Sequence, residues 1–176
     1  MNNVVLIGMP GSGKSSIGSI VSQKLQTTFL DMDQYIEEKE QKKIPELFLS
    51  GEAYFRQIES KAVQEIYCKQ SIVIATGGGI VTRPENMILF RKTSTVFYIE
   101  RPLEMILASS DLTTRPLLAK DTTKLYTLHQ ERKTLYETYC HYRIINSTSL
   151  EKVAEQIATL MIEDTHNHKP LFKTIT

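Results

Sequence analysis

Two rhythms of apolar positions alternate along this chain. Continuous apolar runs at Asn3-Val4-Val5-Leu6-Ile7, Ser71-Ile72-Val73-Ile74-Ala75, Thr95-Val96-Phe97-Tyr98-Ile99 and Tyr142-Arg143-Ile144-Ile145 predict short strands, and Thr28-Phe29-Leu30-Asp31 predicts a shorter one. Between them apolar residues recur every three or four positions. Ile17, Ile20, Val21 and Leu25 give the stripe of a helix packed on a sheet, and Val153, Ile157, Leu160 and Met161 give another. Further helices are predicted over 34–41, 44–48, 53–69, 84–91, 102–109 and 124–139. The segment from Ser110 to Thr123 has no period and the composition of a flap, and the tail over 164–176 is expected to be loosely ordered.

Five strands alternating with helices predict an α/β fold, a three-layer α/β/α sandwich around a five-stranded parallel sheet, in a single domain over 1–163. In such sheets ligands gather at the carboxyl ends of the strands. Polar groups at those ends should therefore converge.

One strand end is diagnostic. Gly8-Met9-Pro10-Gly11-Ser12-Gly13-Lys14-Ser15 satisfies G-x-x-x-x-G-K-[ST] between the first strand and the first helix, the context a phosphate-binding loop requires. Its glycines let successive N–H groups turn inward around an anion. Lys14 supplies a mobile charge for the β- and γ-phosphates, Ser15 a hydroxyl for Mg2+, and the helix behind them a positive N-terminus. The fold is thus of the P-loop NTPase type.

Length and charge narrow the reading. A chain of 176 residues, 41% hydrophobic, supports one core, and a net charge of +1 offers no field to recruit nucleic acid or an anionic membrane. With the first strand entered by residue 3 and no apolar run of membrane-spanning length, a soluble cytoplasmic protein without a signal or transit peptide is expected. Cys68 and Cys140 read as buried free thiols, and the four histidines have no ligand spacing.

Several residues then carry chemistry or a plainer role. Asp31 and Asp33 project to one side if the strand continues, where they suit Mg2+ and a hydroxyl proton; a solvated strand end with a cap is the alternative. Arg56 with Glu59 is either a surface ion pair or a guanidinium fork held for a substrate carboxylate or phosphate. Arg132 with Tyr136 poses the same choice. Gly77-Gly78-Gly79 marks either a close approach of some group to the backbone or a tight turn. Arg115 in the aperiodic segment is either an ordinary loop arginine or one that neutralises a transferring phosphoryl group.

Taken in order and separation, these residues resemble the shikimate kinases, small P-loop kinases of the nucleoside monophosphate kinase type, over about residues 3–162. The resemblance implies ATP-dependent phosphorylation of the 3-hydroxyl of shikimate, on the route to chorismate and the aromatic amino acids. It implies catalytic roles for Lys14, Asp33 and Arg115, and ATP contacts from Gly11, Ser12, Gly13, Lys14, Ser15, Ser16 and Arg115. Shikimate would meet Asp33, Arg56, Gly78, Gly79 and Arg132, and Mg2+ would meet Ser15 and Asp31. A substrate-binding segment at about 33–60 and a lid at about 108–121 follow from the same resemblance, and a monomer is expected. Two places depart from the family, the region near Ala108-Ser109-Ser110, where many members have an arginine early in the lid, and the adenine-side turn Asn146-Ser147-Thr148-Ser149; together they predict weaker or less selective nucleotide binding. The alternatives are a related kinase for gluconate or another small hydroxylated acceptor, and an ATP-sensing module without catalysis.

Overall fold

A computed structural model of the chain describes residues 2–108, 122–167 and 173–175. In chain order the elements are β1 (Asn3–Ile7), α1 (Lys14–Lys24), β2 (Thr28–Asp31), α2 (Met32–Glu40), α3 (Ile44–Leu49), α4 (Glu52–Ile66), β3 (Ile72–Ala75), a 3-10 turn (Ile80–Thr82), α5 (Pro84–Thr93), β4 (Ser94–Glu100), α6 (Leu103–Leu107), α7 (Thr122–Tyr139), β5 (Tyr142–Ile145), α8 (Leu150–Asn167) and β6 (Lys173–Ile175). The strands are parallel in the order β2-β3-β1-β4-β5-β6.

The five expected strands are all present. Val4 and Leu6 of β1, with Val73, Phe97 and Ile99, face α1 and α8 through Ile17, Val21, Val153, Ile157 and Met161. Val5 and Ile7, with Ile74, Val96 and Tyr98, face the opposite layer through Ile36, Phe55, Val63, Phe90 and Tyr136. Alternate residues of a strand point to opposite faces, so a run apolar throughout marks a sheet covered on both. Each such side chain contributes about 1.5–3 kcal/mol when taken fully out of water, which makes the sheet the anchor of the fold.

Register lines up the strand ends that matter. Leu6 pairs with Ala75 and Asp31 pairs with the same Ala75, so the chain leaves β1, β2 and β3 side by side. Thr76 ties this edge, its N–H and its hydroxyl both donating to the Leu6 carbonyl at 3.1 and 2.9 Å.

Three expectations need correction. The tail is not without structure from residue 164: α8 runs on to Asn167 and Lys173–Ile175 adds a sixth strand beside β5. Three residues are too few to show a period, so no apolar repeat announces that strand. Second, β2 stops at Asp31, whose side chain caps α2, so Asp33 lies in the first turn of a helix. Third, both cysteines are free but only Cys140 is buried, while Cys68 is exposed.

Two side chains fix elements that carry the site. Arg91 of α5 donates from Nη1 to the carbonyls of Thr138, Tyr139 and Cys140 at 3.3, 2.8 and 3.3 Å, closing the carboxyl end of α7. His141 donates its backbone N–H to the Val96 carbonyl and accepts the Val96 N–H on Nδ1 at 2.9 Å. Burial, with Arg91 nearby, pushes that imidazole down to about 4. Among the described residues no helix is long and apolar enough to cross a membrane.

Candidate active site

The phosphate loop leaves β1 and enters α1 through Gly13, which holds φ 93° and has no side chain with which to cap the helix. A left-handed backbone angle of this kind suits glycine alone, and it leaves the N-terminal amides of α1 uncovered for an anion. Lys14 is buried along the loop, with Nζ donating to the carbonyls of Gly8 and Met9 at 2.9 and 2.8 Å and to Ser12 Oγ at 3.3 Å. An ammonium held against the loop in this way keeps its charge beside the space the loop encloses. Ser15 Oγ donates to Asp31 Oδ2 at 2.5 Å. The other oxygen of Asp31 accepts the N–H groups of Asp33 and Gln34 at 3.0 and 3.3 Å, an N-cap.

Gly11, Gly13, Lys14, Ser15, Ser16, Asp31, Asp33 and Gly78 line one cavity of about 140 Å3, together with Thr76 and Gly77. Asp33 reaches it from the helix: a Cβ on Gly77 would lie 3.0 Å from both Asp33 Oδ1 and Glu59 Oε1. Ser12 stands behind the cavity, fully buried.

Beside the cavity, against Gly77 and Gly79, lies an ion-pair network. Arg56 and Glu59 are 7% and 1% exposed, and Nη1 of the arginine donates to Glu59 Oε2 at 2.8 Å. Glu52, four residues before Arg56 on α4, accepts from Nη2 at 3.0 Å and from Nε at 3.3 Å. Burial works against the Arg56 charge, but the two glutamates outweigh it and hold the guanidinium ionised. Burial likewise pushes the Glu59 carboxyl up, opposed by Arg56 and by Arg132 of α7, and Asp33 adds a further upward push. The guanidinium packs flat on Gly79, where a Cβ would fall 2.0 Å from Nη2. No other residue leaves room for it.

α7 packs against the same run of glycines. Tyr136 is fully buried, stacked on Tyr98 with ring centroids 5.0 Å apart, and donates from Oη to the Gly78 carbonyl at 2.5 Å. Burial pushes its hydroxyl up to about 12, against the pull of nearby Arg132. Arg132 is half-buried. One turn of helix thus sets Arg132 toward Glu59 and Tyr136 against the triple glycine.

Of the residues expected in the site, Arg115 and most of the 108–121 segment lie outside the described residues. The others come together. The sequence reading missed Glu52, although its spacing of four from Arg56 was a usable signal. It also missed Arg101, whose Nη1 donates to the Gly11 carbonyl at 3.2 Å, and the buried Asn146 amide, which donates to the Ser12 carbonyl at 2.9 Å. Neither contact has a local pattern to announce it.

A scan against protein families matches the model described as shikimate kinase over residues 10–162. A shikimate kinase of Clostridium botulinum is 44% identical over 163 residues, which are 93% of this chain and 99% of that one. The chain belongs to the shikimate kinase family. Its sheet and loop agree with solved shikimate kinases. One from Acinetobacter baumannii, in complex with shikimate, superposes with a TM-score of 0.86 at 32% identity, covering 93% of this chain and 94% of that one. Another, from Aquifex aeolicus, gives a TM-score of 0.81 at 31% identity over 95% of this chain and 99% of its own. The activity is that of a shikimate kinase, a phosphotransferase of the shikimate pathway that uses ATP. Family membership removes the gluconate-kinase and ATP-sensor alternatives.

Proposed function

We propose that the chain transfers the γ-phosphoryl group of ATP to the 3-hydroxyl of shikimate, releasing ADP and shikimate 3-phosphate, as a cytoplasmic monomer on the route to chorismate. The observation that carries this reading is that one cavity faces a phosphate loop on one side and, on the other, Asp33 beside an arginine fixed on Gly79. A donor anion and a small hydroxylated acid need those two walls.

On the acceptor side, Arg56 and Arg132 clamp the shikimate carboxylate. Gly78 and Gly79 offer backbone N–H groups, and Asp33 orients the hydroxyls and takes the proton of the one that attacks. Residues 33–60 supply most of this surface. On the donor side, the loop from Gly11 to Ser16 holds the phosphates. Lys14, and Arg115 from a lid at about 108–121, neutralise the charge on the phosphoryl group as it moves from ADP oxygen to substrate oxygen. A lid that closes after shikimate binds keeps water from taking the phosphoryl group, so losing Arg115 harms turnover more than ATP affinity.

Mg2+ suits the oxygens present. Ser15 Oγ and Asp31 Oδ2, already 2.5 Å apart at the cavity edge, are hard donors of the kind Mg2+ uses alongside phosphates and water. When bound there it supplies positive charge to the β- and γ-phosphates. Among the described residues no cluster of three His, Cys, Asp or Glu could hold a metal by itself.

The test is ADP release with ATP and Mg2+ against shikimate, quinate, gluconate and nucleoside monophosphates, for the parent and Asp33→Asn. Turnover confined to shikimate and lost in Asp33→Asn is the expected result. Equal stimulation by gluconate or quinate would overturn the acceptor assignment.

A further inference from the structure

The outer carbonyls of the phosphate loop are held one by one. Lys14 takes those of Gly8 and Met9, Arg101 that of Gly11, and Asn146 that of Ser12. Among these holders Asn146 is the most constrained. It is 3% exposed, directly follows β5, and is fixed through its own backbone N–H, which donates to the Glu100 carbonyl at 2.7 Å. Its side chain also fills the space beside Gly13, where a Cβ would come within 2.9 Å of Nδ2.

Geometry gives this bond a function. In a planar trans peptide the carbonyl of one residue and the N–H of the next point in opposite directions. Holding the Ser12 carbonyl toward Asn146 therefore turns the Gly13 N–H the other way, toward the cavity that Gly13 and Lys14 line. The preceding peptide differs, because the Ser12 N–H is taken internally by the Met9 carbonyl at 3.1 Å. The Gly13 amide is the one whose aim depends on a side chain from a distant strand end.

We infer that Asn146 is a positioning residue for phosphate binding: its amide orients the Ser12–Gly13 peptide so that the Gly13 N–H meets the phosphates of ATP. The turn that departs from its relatives on the adenine side thus acts on the phosphates, through the loop. An aspartate here could not do this, since an ionised carboxylate has no hydrogen to give the Ser12 carbonyl. The inference rests on the reading that the loop from Gly11 to Ser16 holds ATP.

The experiment compares Asn146→Ala, Asn146→Asp and, as a control, Lys14→Ala with the parent. It measures KM for ATP and for shikimate, the affinity for inorganic tripolyphosphate, and the melting temperature. One net hydrogen bond corresponds to about a two- to tenfold loss, so Asn146→Ala should raise KM for ATP by about that factor and weaken tripolyphosphate equally. Asn146→Asp should do worse, because its charge faces a carbonyl beside an anion site. KM for shikimate should stay within about twofold in both variants, since an orienting amide on the loop touches no shikimate group. Parental ATP affinity in both Asn146 variants overturns the inference, as does a loss seen with ATP but not tripolyphosphate, which would assign Asn146 to the base. So does an equal loss of both substrates with a lowered melting temperature, the mark of a structural role only. If Lys14→Ala also keeps parental ATP affinity, the phosphate-loop reading fails on its own account.

Discussion

The two walls of the cavity are built in opposite ways. The proposed phosphate side is one contiguous stretch, Gly8 to Ser16, whose shape needs little beyond its own glycines and the carbonyl holders around it. The proposed acceptor side is assembled from α2, α4, the glycines after β3 and α7, and its charged side chains are held by other side chains. A wall made of backbone tolerates change around it. A wall made of a side-chain network passes any change from one member to the next.

The largest expected effect separates chemistry from binding. Asp33→Asn keeps shape and removes the base, so turnover should fall by about two to four orders of magnitude while ATP affinity stays parental. ADP release and an ATP titration read the two quantities. A collapse of ATP affinity would mean that the walls are not separable.

Next is Gly79→Ala, which puts a methyl group where Arg56 now lies, 2.0 Å from Nη2. The guanidinium must leave, and KM for shikimate should rise by about 10- to 100-fold, the worth of a charge-assisted bidentate contact, with KM for ATP little changed. Glu59→Gln comes third. Arg56 keeps Glu52 but loses the charge of its buried partner, so about a tenfold rise in KM for shikimate is expected, again without an effect on ATP.

A pH experiment touches neither wall. The His141 imidazole sits near 6.5 in the unfolded chain and is pushed down to about 4 by burial, with Arg91 adding to the shift. Between those values the unfolded chain binds the extra proton, so folding stability should fall as pH drops from 6.5 toward 4. Melting curves of the parent should therefore shift more steeply with acid than those of His141→Gln. At neutral pH both KM values of that variant should match the parent. The smallest effect belongs to Arg101→Ala: this half-exposed contact to Gly11 should be worth about twofold in KM for ATP.

The same contrast explains what the chain's residues alone reveal. A contiguous wall has a spacing, and G-x-x-x-x-G-K-S between an apolar run and an amphipathic helix sufficed to predict the loop. The strands were legible because burial on both faces removes polar residues, leaving a signature in Val4 to Ile7 or Ile72 to Ala75. A convergent wall has no spacing. That Tyr136 reaches Gly78 across 58 residues, or Asn146 reaches Ser12 across 134, is a product of strand order and register. Asp33 shows a halfway case: its presence in the cavity was foreseen, but by the wrong route. The period-two argument fails once Asp31 caps a helix, and the Asp-Met-Asp sequence was itself a capping signal.

The Arg91 cap on α7 has a mechanical meaning. Three terminal carbonyls bound to one guanidinium pin the carboxyl end of that helix to α5 and make it a fulcrum. At 1.5 Å of rise per residue, Arg132 stands roughly 10 Å from Tyr139, and Thr122 stands roughly 25 Å away. A rigid tilt about that fulcrum would therefore displace Arg132 by only about 40% of the travel at Thr122. On such a lever the arginine is the part that travels least, less than half as far as the front end.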